Sequence, residues 1–138
     1  MEDRDEKQNR RKSERIDVAF TLIYSVEKPF SLYISLGLND KIDALMINLS
    51  DSGMAIITKY HLPSDTELRI KFNIIDLRLT GDDRWKKMEI TGKVTSNITL
   101  PNENFKTNHR IGIRFINILD KDKIEISNFV KRNMLPSQ

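Results

Sequence analysis

The 138-residue chain contains no cysteine. Disulfides, a thiol nucleophile and thiolate metal ligands are therefore excluded. It has two histidines, His61 and His109. They stand far apart in sequence and neither has a further ligand at metal spacing, so both are expected as surface or loop residues and no metal site is expected. The few glycines form no phosphate-cradling loop and no nucleophile elbow. No apolar run approaches the ~18 residues of a membrane span. The opening Met1-Glu2-Asp3-Arg4-Asp5-Glu6-Lys7 lacks the apolar core of a secretory signal. A cytoplasmic location without membrane insertion is expected. The carboxylate pairs Asp82-Asp83 and Asp120/Asp122 read as turn and helix-cap residues. No catalytic constellation remains, so the chain is not expected to be an enzyme or to need a cofactor.

What is present suits a folded domain: 38% hydrophobic and 31% charged residues, on a length that supports one core. Charge placement says more than the net +3. Residues 1–9 carry two basic and four acidic side chains, and residues 10–15 carry four basic and one acidic. A flexible leader over 1–9 followed by a basic knot is expected. A single domain then spans 10–135, with a β-barrel over about 15–118 and a helix over about 120–135.

Alternation of apolar and polar residues carries that reading. Ile16, Val18, Phe20, Leu22 and Tyr24 mark the first strand. Leu68, Ile70, Phe72 and Ile74 mark another, Met88, Ile90, Val94 and Ile98 a third, and Ile111, Ile113 and Phe115 the last. Gly92 falls on the apolar side of its strand, where it suggests a bulge or close packing. Residues 25–41 are harder to read, and a strand over Phe30–Leu36 is expected between turns at Pro29 and Gly37. Asp120 is expected to cap a helix whose apolar face is Ile126, Phe129, Val130 and Met134. The sum is an all-β, six-stranded antiparallel barrel with a C-terminal helix, since closure removes exposed edges.

One stretch stands out. Asn48-Leu49-Ser50-Asp51-Ser52-Gly53 joins two apolar runs. On an extended backbone Asn48 and Ser50 face one side, and Leu45, Ile47 and Leu49 face the other. Gly53 can take the positive φ that a tight reversal often needs, and leaves room for close approach to the backbone. Arg11 and Arg15 lie four apart just before the first strand. Guanidinium groups bind phosphate and the O6/N7 edge of guanine through paired hydrogen bonds. An Asn amide suits a guanine edge, and a Ser hydroxyl suits a phosphate oxygen. Together these residues describe a site for a guanine nucleotide with more than one phosphate.

Arg-x-x-x-Arg at Arg11–Arg15, followed by Asn-x-Ser-x-x-Gly at Asn48–Gly53, resembles the PilZ domain. Arg110-Ile111-Gly112-Ile113-Arg114-Phe115 is similar to that family's last strand. The resemblance implies a six-stranded barrel acting as a receptor for the bacterial second messenger cyclic di-GMP. It implies that Arg11 and Arg15 clamp guanine and phosphate from an arm, that Asn48 meets a guanine edge and Ser50 a phosphate, and that Gly53 permits the approach. Arg10, just ahead, is implied to influence whether one or two ligand molecules bind. An effector protein is expected as partner, because no output domain is read in the chain. The alternatives are a small basic barrel for single-stranded nucleic acid, a partner class that the low net charge and the lack of an aromatic ladder disfavour, and a ligand-free PilZ-like adaptor.

Overall fold

Alternating residues close the chain on itself. In the computed structural model, which describes residues 14–76, 78–101 and 107–133, six strands form a closed antiparallel barrel. They are β1 (Arg15–Lys28), β2 (Ile42–Ser50), β3 (Gly53–Thr58), β4 (Glu67–Ile75), β5 (Trp85–Leu100) and β6 (Asn108–Ile116). Around the barrel they run β1-β2-β3-β6-β5-β4. Leu68, Ile70, Phe72 and Ile74 of β4 and Ile111, Ile113 and Phe115 of β6 all point into the core, and their neighbours face outward. At about 25 cal/mol per Å² of apolar surface, burying each such side chain contributes roughly 1.5–3 kcal/mol.

Two α-helices accompany the barrel among the described residues, α1 (Phe30–Ser35) and α2 (Asp120–Asn133). The C-terminal helix α2 lays Ile126, Phe129 and Val130 onto the core, with the Phe129 ring 5.8 Å from that of Phe20 in β1. Met134 lies outside the described residues. Asp120 is not the cap: it is the first helical residue, and the Leu119 carbonyl accepts the Asp122 and Lys123 amides at 3.0 Å. Asp120 and Asp122 instead complement the positive end of the helix dipole. Asp76, after β4, accepts hydrogen bonds from Arg78 and lies 3.9 Å from Arg132 of α2. Those bonds hold its carboxyl down at about 2.

The expected strand over Phe30–Leu36 is a helix instead. β1 runs through Lys28, and the carbonyl of the extended Pro29 accepts the Leu32 and Tyr33 amides to start α1. Gly37, at φ +78°, ends it: the Gly37 amide bonds Ile34 and the Leu38 amide bonds Tyr33, the double closure of a Schellman motif. Leu32, Tyr33 and Leu36 pack on the core, while Phe30 and Ile34 face out. The apolar residues of this segment look alternating, but the buried ones lie at helical spacing.

Two strands change phase midway. In β2 the pairing with β3 steps from Met46↔Ile56 to Asn48↔Ala55, so Ile47 is an extra residue. Met46 and Leu49 are therefore both buried, and Leu45 faces outward, against the expectation that it shares a side with Leu49. In β5 the pairing with β6 steps from Val94↔Ile113 to Ser96↔Gly112, so Thr95 is extra. Ile98 is consequently 56% exposed rather than inward. Gly92 is a matter of close packing: a Cβ there would run into Ile113 Cγ2. His109 is not a loop residue. It is buried in β6, within 3.4 Å of the Thr99 hydroxyl, with its ring 5.6 Å from that of His61.

Candidate functional site

The phase change at Ile47 turns Asn48 and Ser50 outward at the end of β2. The turn after them is held by one side chain. Ser50 Oγ accepts the Ser52 and Gly53 amides, each at 3.2 Å, and lies 3.1 Å from Ser52 Oγ. A serine hydroxyl bonded to backbone two and three residues on stabilises a reversal without a positive φ. Gly53 accordingly does not adopt one. It is required for contact instead: a Cβ would strike the Ile113 carbonyl, where β3 begins against β6. The Phe115 amide bonds the Ser52 carbonyl at 2.9 Å across the same junction.

An open cavity of about 370 Å³ lies over this turn. Arg15, Asn48, Ser50 and Gly53 all line it. Arg15 enters because it opens β1 directly opposite Ser50, and Asp17 pairs with Asn48 one step on. Arg10 and Arg11 lie outside the described residues. The structure thus brings together four of the six residues that the sequence singles out.

Sequence reasoning did not assign the rest of the wall. Ser52 and Ala55 come from the turn and β3, Thr95 and Ser96 from β5, and Arg110, Gly112 and Arg114 from β6. The register explains the floor. Across the outer face, Asp17, Asn48, Ala55, Gly112 and Ser96 stand in one row. Its third and fourth members, Ala55 and Gly112, carry a methyl group and a hydrogen, so the floor there is flat. The β5 phase change sets both Thr95 and Ser96 against Gly112. Thr95 Oγ1 donates to the Gly112 carbonyl at 3.2 Å, and a Cβ on Gly112 would collide with Ser96 Oγ. Arg110 and Arg114 were legible as outward residues of an alternating strand. The contributions of Thr95 and Ser96 depend on a bulge that no residue type announces.

The chemistry on offer is recognition. Three guanidinium groups, an amide and four hydroxyls surround a shallow, flat-floored cavity. Among the described residues, Arg15, Arg110 and Arg114 pair with no carboxylate, whereas Arg69, Arg78 and Arg132 do. Such a site favours a planar, polyanionic ligand. No group of three or more potential metal ligands occurs among the described residues.

A family model described as the PilZ domain matches residues 9–132. No curated protein sequence matches. Several solved structures share the fold. The Bacillus subtilis inhibitor of motility MotI/DgrA aligns with TM-score 0.63 at 16% identity, covering 89% of this chain and 50% of that one. The PilZ domain of YcgR from Escherichia coli, solved with c-di-GMP, gives 0.59 at 14%, covering 89% and 90%. The K. pneumonia MrkH–c-di-GMP complex gives 0.56 at 15%, covering 86% and 50%. The chain spans about half the length of MotI/DgrA and MrkH.

Proposed function

The chain belongs to the PilZ domain family, and from that premise we propose that it is a receptor for cyclic di-GMP. The observation that carries the reading is the meeting of Arg15, Asn48, Ser50 and Gly53 on one cavity, with Arg11 four residues before Arg15 in the chain. The YcgR domain and MrkH, of the same fold, were solved with this ligand, which supports the same ligand class here.

Each residue has a chemical part. Arg15 and Arg11 bind phosphate and the guanine O6/N7 edge. The Asn48 amide pairs with a second guanine edge. Ser50 Oγ accepts two amides and donates to the Gly53 carbonyl at 3.3 Å, and its single proton turns from that long bond to a phosphate oxygen when ligand binds. Gly53 keeps the turn seated on β6. Arg10 influences whether one or two ligand molecules are held. Binding draws the Arg10–Arg11 segment onto the barrel, and a partner protein in the cytoplasm reads the surface so formed.

Calorimetric titration with cyclic di-GMP tests this. Truncating a buried, hydrogen-bonded charge costs roughly 2–5 kcal/mol, out of about 8 kcal/mol for micromolar binding. Arg11→Ala and Arg15→Ala are each expected to weaken binding about thirtyfold or more. Unchanged affinity in both variants would refute the assignment. Binding of single-stranded nucleic acid with steep salt dependence, and none of the cyclic dinucleotide, would favour the basic-barrel alternative.

A further inference from the structure

Strand β6 contributes two of the three arginines lining the cavity, and neither lies in the Arg11–Arg15 or Asn48–Gly53 segments. We propose that Arg114 and Arg110 are a second arginine pair of the nucleotide site, Arg114 binding a phosphate and Arg110 lying against the guanine base. This rests on the cyclic di-GMP reading above and extends it to residues outside both motifs.

The strand register separates the two roles. Arg15 stands opposite Ser50, Ser50 is bonded to Gly53, and Gly53 stands opposite Arg114. One row therefore has a guanidinium at each end and a hydroxyl and a glycine between them. Neighbouring strands lie about 4.8 Å apart, so the two arginine backbones are roughly 14 Å apart across three spacings. Two extended arginine side chains close that gap from both sides over a group resting at Gly53. A phosphate there meets charge from two directions and the Ser50 hydroxyl from below.

Arg110 occupies a different setting. It lies two rows away, about 14 Å along β6 from Arg114, between Ile57 of β3 and Ile98 of β5. Ile98 is a large apolar side chain left half exposed beside Arg110, which itself lines the cavity. Between the two arginines lies the flat step of Ala55 and Gly112. A purine lying on that step covers Ile98 and meets the Arg110 guanidinium, a planar group that stacks on bases and reads their edges. The three arginines have no carboxylate partner among the described residues, so their mutual repulsion is relieved by a ligand of opposite charge.

The roles predict different responses to lysine. A phosphate contact tolerates a point charge, whereas stacking or paired hydrogen bonding does not. In calorimetric titrations with cyclic di-GMP, Arg114→Ala is expected to weaken binding about tenfold or more and Arg114→Lys to recover to within about threefold of the parent. Arg110→Ala and Arg110→Lys are both expected to lose about tenfold. Arg69→Ala, which breaks the exposed pairs with Glu27 and Glu89, serves as a charge control and is expected to leave affinity unchanged. Arg110 and Arg114 are both exposed, so parent-like melting curves verify that the variants fold. If the parent binds and both alanine variants match it within about twofold, the assignment to β6 is overturned while the receptor reading stands. Lysine restoring Arg110 but not Arg114 overturns the division of roles. A parent that does not bind overturns the receptor reading and this inference with it.

Discussion

Gly53→Ala isolates a single contact, because nothing about the Gly53 backbone dihedral forbids alanine. A Cβ at this position would run into the Ile113 carbonyl oxygen and would sit 3.2 Å from that carbonyl carbon and 3.3 Å from Arg114 Cα. All three are backbone atoms of β6, so no side chain can swing aside. Relief requires β3 to lift from β6 where the ladder starts, at Gly53↔Arg114 and Met54↔Ile113. The Phe115–Ser52 backbone bond lies at the same junction. Overpacking costs about 1–3 kcal/mol, and one lost backbone hydrogen bond adds about 1 kcal/mol. The expected destabilisation is about 2–4 kcal/mol, a large share of the roughly 5–15 kcal/mol that holds a domain folded. In urea, with a slope of about 1–3 kcal/mol per molar, the unfolding midpoint falls by about 1–2 M. Titration of the folded variant at low denaturant should also show weakened cyclic di-GMP binding, because the turn that orders Ser50 moves with β3. A midpoint within about 0.2 M of the parent would refute the contact argument.

Leu45→Ser and Leu49→Ser test the phase change in β2: the first is expected to shift stability by no more than about 1 kcal/mol and the second to cost several, and equal costs in urea melts would contradict the bulge at Ile47. The buried Tyr24 phenol, hydrogen-bonded to Thr58 at 2.8 Å, has its pKa pushed up to about 12 by burial. Its raised folded pKa contributes stability that is complete below the ordinary value near 10 and is lost as pH rises through 12. The loss amounts to roughly 3 kcal/mol and should vanish from alkaline unfolding curves in Tyr24→Phe. Asp76 works in the opposite sense: with its pKa lowered from 3.8 to about 2, its stabilising effect is present above pH 4 and disappears as pH falls through 2. Acid unfolding of Asp76→Asn should therefore show a shallower pH dependence than the parent in that window.

Strands were legible wherever every second residue meets the core. Leu68 to Ile74 and Ile111 to Phe115 obey that rule without interruption, and the barrel follows from several such runs in succession. Ile47 and Thr95 were not legible, because an inserted residue leaves normal alternation on either side and changes only which side is inward. Leu45 and Ile98 were misplaced for that reason alone. The segment from Phe30 to Leu36 satisfies period two and helical spacing together, and Gly37 with its two closing hydrogen bonds decides for the helix. For the site, Asn48, Ser50 and Arg15 could be read because they sit at strand ends beside a polar turn. Arg110 and Arg114 showed only as outward arginines, since their arrival over the same cavity depends on β3 and β6 being neighbours, a matter of topology rather than of local pattern.

The phase change in β5 has an effect on both sides of the wall. Thr95 and Ser96 face the cavity, while the next residue, Asn97, points the other way and donates to the Leu62 carbonyl at 2.9 Å. The Val94 amide bonds the Thr66 carbonyl, and the Val94 carbonyl accepts the Asp65 amide. Four consecutive residues thus grip the cavity with two side chains and the 62–66 loop with the other two. That loop, with Pro29, Leu32 and Ser35, lines a second hollow beneath α1. The bulge interrupts the ladder with β6 between Val94 and Ser96. The cavity wall at Ser96 and the loop under α1, held by Asn97, are thus joined through a single peptide bond.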